Sequence, residues 1–161
     1  MSWEETRDLL ALVLRLEAER LVAIARVGRV AGASAEEVAE IDRDLEVAMA
    51  GLERRGVAYP GHMLAASYRL GGVEYAMLVL TMLPHHAPDA LERIGDALGL
   101  TEGGPSLRHA LALFAGARAD PAAFRGEVER LPLVSHKLVA VDEAGRLTLS
   151  QAVAELFGFE T

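Results

Sequence analysis

Five histidines and one glycine-rich tetrapeptide are the residues of this sequence whose types suit chemistry. His85 and His86 adjoin, with Asp89 close behind, and imidazoles with a carboxylate are donors that a zinc ion takes. An enzyme site built near these three residues is one reading. A metal site needs more ligands at fixed spacing and groups behind them to orient the rings, and none stands nearby. Paired histidines also suit the negative end of a helix dipole, and a solvated helix terminus is the preferred assignment. His62, His109 and His136 stand alone. His109 follows Arg108, with no Ser and Asp at the spacing of a triad, so these three read as surface or partly buried structural residues. Gly103-Gly104-Pro105-Ser106 precedes a helix start, where free backbone N–H groups can hold an anion. The Lys and Ser/Thr that a Walker loop places after its second glycine are missing, which leaves a capped loop. The single lysine, Lys137, follows no glycine-rich loop, and cysteine is absent. A thiolate site and a disulfide framework are therefore excluded. No catalytic, cofactor-binding or metal-binding residue is assigned, and no cofactor is expected.

The elements that would position any site follow from composition and period. The chain of 161 residues fits one domain with a proper core. Hydrophobic residues are 52% but aromatics only 5%, so the core must be built from Leu, Val, Ala, Met and Ile, as helix packing favours. Charged residues at 25% argue against a disordered polymer. The net charge of -8 repels phosphate backbones, and the arginines are scattered among Glu and Asp, so nucleic acid is an unlikely partner. The acidic start MSWEETRDLL is not a signal peptide. No apolar run approaches the length of about 18 residues that a membrane span requires, so a membrane association is not expected and a cytoplasmic location is.

Residues 2–30 predict a long amphipathic helix. Ser2 with Glu5 makes a capping box, Leu10, Val13, Leu14, Leu21 and Ile24 recur at helical spacing, and Gly32 sits where it should end. Ser34 with Glu37 caps a second helix whose stripe is Val38, Ile41, Leu45, Ala48 and Leu52, ending at Arg54-Arg55-Gly56. A short link between two long helices reads as an antiparallel hairpin. After Tyr59-Pro60 a short helix is expected over 61–70, then one over 73–83, apolar on nearly all sides and so central to a core, with Pro84 ending it. Further helices are expected over 88–98, 107–115 after Ser106, and 121–130 after Asp120-Pro121. Residues 138–141 and 146–149 flank Asp-Glu-Ala-Gly and read as a β-hairpin. Ser150 caps a closing helix over 151–157.

Two surfaces follow. The acidic clusters Glu36-Glu37-Glu40 and Glu127-Glu129 suit solvated helix faces. The pair of N-terminal helices offers an oligomer or docking surface, and packing against the rest of the domain is the competing reading. The helix and hairpin over 121–149 look like a winged helix, but Asp120, Glu127 and Glu129 oppose Arg125 and Arg130, and Asp142 and Glu143 oppose Lys137 and Arg146. Without a basic stripe, a wing that meets protein is preferred to one that meets DNA.

Taken in order, these segments resemble the N-terminal, non-ATPase region of AAA+ ATPases associated with bacterial extracellular contractile injection systems. The likeness is carried by Trp3-Glu4-Glu5 opening a long Leu/Ala/Arg/Glu helix, by LAASYRLGGVEYAMLVLTMLPHHAPD over 64–89, by PSLRHALALF over 105–114, and by LPLVSHKLVAVDEAGRLTLSQAVAELFG over 131–158. It spans most of the chain through patterns of Leu, Pro and Gly. Gly72-Val73-Glu74-Tyr75 stands where the family has a Pro-Phe-Glu-like step. The family's Walker elements would follow Gly158 and have no counterpart here, so no nucleotide-binding residue carries over. The resemblance implies an excised N-terminal domain or a stand-alone relative without ATPase activity, whose partner is a component or cargo of a contractile injection particle, or an AAA+ ATPase.

The expected fold is mainly α: an N-terminal long helical hairpin over 1–56, and over 57–161 a helical bundle ending in a winged-helix-like β-hairpin, the two forming one unit. The expected function is a non-catalytic protein-binding and assembly module, with a homo-oligomer possible. Contacts are expected from the hairpin over 2–55, through Arg15, Glu19 and Arg26, and from the wing over 137–149, through Lys137 and Arg146. The alternative is a winged-helix DNA-binding regulator.

Overall fold

The computed structural model describes residues 2–115 and 119–159. The chain is mainly α-helical with one small antiparallel hairpin near its C-terminus. Met1 and Thr161, the outer bounds of the two expected segments, lie outside the described residues.

The first helix, α1 (Trp3–Arg26), starts where its cap places it: the Ser2 hydroxyl accepts from the Glu5 N–H at 3.2 Å. It ends at Arg26, four residues before the expected stop at residue 30. Val27 turns extended and Gly28 takes φ +76°, a left-handed value that suits glycine. Arg29 then folds back and donates to the carbonyls of Ala25 at 3.1 Å and Ala112 at 2.9 Å, so a side chain satisfies a helix-end carbonyl. The second helix, α2 (Ala35–Arg54), follows Ser34, whose side chain makes no capping bond.

Next come α3 (Pro60–Tyr68) and α4 (Gly72–His86). Pro84 does not end α4, as the sequence predicted; the helix runs two residues past it. In the last turn proline withholds only its own bond, and the Ala87 N–H still reaches the Leu83 carbonyl at 2.8 Å. Then follow α5 (Pro88–Leu98), closed by Gly99 at φ +72°, and α6 (Leu107–Ala110), which widens into a π-helical turn over Leu111–Ala115. The helix α7 (Pro121–Arg130) is capped by Asp120, which accepts from the Ala123 N–H at 3.2 Å. A short α8 (Pro132–Ser135), unforeseen in the sequence, precedes β1 (Val139–Val141) and β2 (Leu147–Leu149), and α9 (Gln151–Leu156) closes the order.

The hairpin pairs Val139 with Leu149 and Val141 with Leu147. Its other edge is also covered. The Leu147 N–H donates to the Pro105 carbonyl at 3.0 Å and the Leu107 N–H to Gly145 at 2.8 Å, with a bridge between Ser106 and Arg146. Helix α5, this paired segment, α6, α7, α8 and the β1–β2 hairpin follow one another along the chain. Pairing the edge removes a row of bare N–H and C=O groups.

Helix α4 is the centre of the main core. Met77, Leu78, Leu80, Met82 and Leu83 are all buried, and α4 packs against α1, α5 and β2. Fully burying each such side chain contributes about 1.5–3 kcal/mol. Thr81, buried among them, donates to the Met77 carbonyl at 2.8 Å and leaves no orphan hydroxyl. A second, smaller core joins Val13 to Ala48, Leu52 and Tyr59. Helix α1 serves both cores, so the two expected segments share it. Two adjacent residues of α1 reach opposite neighbours: Glu19 pairs with Arg93 of α5 at 2.6 Å and Arg20 with Asp42 of α2 at 2.6 Å.

Candidate functional site

Glu17 stands four residues from Val13 and four from Leu21, within the apolar face of α1. Helical spacing therefore drives a carboxyl into the interior, where it is 7% exposed. Two tyrosines meet it there. Tyr59, at the start of α3, donates its hydroxyl to Oε1 at 2.8 Å, and Tyr75 of α4 donates to Oε2 in a short hydrogen bond. Gly61 makes room for the pair: a Cβ there would lie 2.6 Å from the Tyr75 hydroxyl and 2.8 Å from the Tyr59 ring. Burial pushes the Glu17 carboxyl above the usual carboxylate range, and the two hydroxyls and Arg20 offset this only in part. Both tyrosine hydroxyls are raised as well, first by burial and then by the Glu17 charge.

Glu17 and Tyr75 line a cleft of about 520 Å³ between α1, α2 and α4. Its apolar lining includes Leu21, Ile24, Leu45, Val73, Val79 and Phe114. His62 stands at its side, its imidazole pKa lowered by burial, and the Arg20–Asp42 pair lies at its edge. No protein-family model, curated protein or solved structure matches this chain.

A second concave surface lies on the outside of the α1–α2 pair. It is a groove of about 720 Å³ whose lining includes Leu9, Leu12, Leu16, Val47 and Gly51. Arg15, Asp44, Arg54 and Arg55 give it charge. Arg55 lies 3.2 Å from Glu5 as an ion pair, but the alignment does not make a hydrogen bond. Val47 is 71% exposed and Trp3, at the start of α1, is 68% exposed.

The residues expected at a partner surface divide into two groups. Arg15 is exposed on α1 and lines the outer groove. Glu19 is held by Arg93, and Arg26 is half-buried at the end of α1. Lys137 and Arg146 are exposed on either side of β1, Lys137 at φ +61° and Arg146 with its N–H donating to Asp142 at 2.8 Å. Among the described residues no hydrogen bond or ion pair joins the two groups.

The histidines have packing roles. His85 stacks on Phe159 with ring centres 5.3 Å apart, and His86 lies 5.7 Å from the same ring. Asp89 turns to Arg93 at 3.3 Å instead of to either histidine. Among the described residues no three His, Cys, Asp or Glu side chains converge as a metal site. His109 is buried, its pKa lowered by burial, and its Nδ1 lies 2.8 Å from the Ser106 hydroxyl that caps α6. Gly104 passes so close that a Cβ would sit 2.4 Å from the imidazole. The glycines of that loop thus make room for a buried ring. No helix among the described residues is long and apolar enough to cross a membrane.

The Glu17–Tyr59–Tyr75 cluster escaped the sequence reading. Its signal was one acid in register with the apolar stripe of α1, but the two tyrosines come from distant segments that only the tertiary fold brings to it.

Proposed function

We propose that this chain is a non-catalytic protein-binding and assembly module, acting in the cytoplasm and docking its partner on the outer face of the α1–α2 pair. One observation carries this: α2 packs chiefly on α1, which leaves an apolar groove that includes the exposed Val47 and is rimmed by Arg15 and Arg54. Exposed apolar surface framed by charge is what a protein partner covers. The order of elements supports placing the module with the N-terminal regions of AAA+ ATPases of contractile injection systems. It has a long first helix, a buried apolar helix after a glycine turn, and a closing strand–turn–strand–helix. The partner would then be a particle component or such an ATPase, or a second copy of the chain.

The wing adds a smaller contact surface through Lys137 and Arg146. DNA is a weaker candidate there. Arg125 of α7 is spent on holding the hairpin turn, donating to the carbonyls of Asp142 at 2.6 Å and Glu143 at 3.2 Å, and pairing with Glu129 at 2.9 Å. A guanidinium so occupied is not free to meet phosphate.

Capture of partners by the tagged chain from its native lysate, read by mass spectrometry, tests the proposal. Sheath, tube or baseplate components, or a full-length AAA+ ATPase, are expected from the wild type and not from a Val47→Asp, Arg15→Glu variant of unchanged helicity. Equal recovery with both proteins overturns the groove as the docking face.

A further inference from the structure

We infer that the cleft between α1, α2 and α4 is a binding site for a small organic cation, a primary or methylated amine carried on an apolar stem. The inference is independent of the protein-docking face, which is lined by a different set of residues.

Glu17 is the decisive group. A buried carboxylate is ordinarily matched by a cation. Here both direct partners are neutral hydroxyls, and no ion pair to Glu17 forms among the described residues. Arg20, a basic group whose charge acts on it, is engaged by Asp42 at 2.6 Å. A carboxylate has about four acceptor positions, and the two tyrosines fill two. The remaining capacity belongs to a group that lines an open cleft. Burial without a cation also accounts for the raised proton affinity of this carboxyl.

The rest of the cleft fits an alkylammonium. Its volume of about 520 Å³ falls within the roughly 300–1,000 Å³ of small-molecule sites. Tyr75 and Phe114 present aromatic rings, which attract cations through their faces. Leu21, Ile24 and Val79 provide apolar surface for a stem. Anions are disfavoured, because Glu17 and Asp42 are both acidic and the charge of the one guanidinium is paired with Asp42. A neutral alcohol would bury the same stem but leave the carboxylate without its countercharge.

The probes are hexylammonium, 1-hexanol and hexanoate, titrated into the full chain and followed by amide chemical shifts. Hexylammonium is expected to move resonances of residues 17–24 and 72–79 and to bind at least about ten-fold more tightly than 1-hexanol, as a charge-assisted hydrogen bond requires. Hexanoate is expected to leave them in place. Glu17→Gln, which keeps hydrogen-bonding atoms for both tyrosines, should reduce the amine-to-alcohol ratio to near one. Ala76→Trp, placed on the cleft wall, should abolish binding of both. The inference is overturned if amine and alcohol titrate alike on the wild-type chain, if neither binds, or if Glu17→Gln retains the amine preference. The wild-type comparison decides even if a variant fails to fold.

Discussion

At Glu17 three side chains from separate segments share one buried hydrogen-bonded unit, and their substitutions should differ sharply. Glu17→Ala leaves two tyrosine hydroxyls facing an apolar interior, and a buried group without a partner costs about 1–3 kcal/mol. Glu17→Gln offers an amide that accepts from one hydroxyl and donates to the other, so its loss should be well below that of the alanine variant. Urea unfolding of the two proteins checks the order. Gly61→Ala acts on the same unit by sterics, because the new methyl falls on the Tyr75 hydroxyl and the Tyr59 ring. It should cost about 1–3 kcal/mol, while Gly72→Ala, with open space around it, should not. Matching losses at the two glycines would show that the tyrosines are not held as described.

Helix α2 differs from α4 in how it is held. Helix α4 is clasped by α1, α5 and β2, whereas α2 packs chiefly on α1 and buries only Ala48, Gly51 and Leu52. Few buried contacts mean a low local opening free energy. Amide hydrogen exchange should therefore release α2 before α4. If α2 proves as protected as α4, a further surface must be covering it in solution. At this scale much was legible in the sequence. Ser2, Asp120-Pro121 and Ser150 start helices where their hydroxyl and carboxylate chemistry places them, and Asp-Glu-Ala-Gly turns the hairpin as expected. The differences have both distant and local causes. Arg29 closes α1 early through the Ala25 and Ala112 carbonyls, and Pro84 is tolerated because it sits in a final turn. The Pro105–Leu107 segment finds β2 from far along the chain, which no local pattern announces.

For the whole molecule, buried ionisable groups set opposed responses to pH. The Glu17 carboxyl is raised above its ordinary value of 4.5 in the folded state. Its contribution is complete below that value and is lost as pH rises through the folded pKa. His86 and His109 are lowered from 6.5, so their contribution is present above 6.5 and is lost as pH falls toward their folded values. As pH rises above 4.5 stability should thus fall less in Glu17→Gln, and as pH falls below 6.5 it should fall less in His109→Asn. Parallel profiles for wild type and both variants would contradict these assignments.

Glu19 and Arg20 are neighbours of opposite sign, and each meets its complement on a different helix. One residue along a helix is a turn of about 100°. A rotation of α1 by that amount would carry Glu19 toward Asp42 or Arg20 toward Arg93, like charge against like. The pair works as a rotational key that admits α1 in one azimuth. Its energy is small, since exposed pairs contribute about 0.2–1 kcal/mol each, but its sign depends on angle, which burial of leucine and alanine alone hardly specifies. Exchanging the two residues (Glu19→Arg with Arg20→Glu) should loosen the seating of α1. Adding Asp42→Arg and Arg93→Glu should restore it, as the amide spectrum and the unfolding midpoint would report.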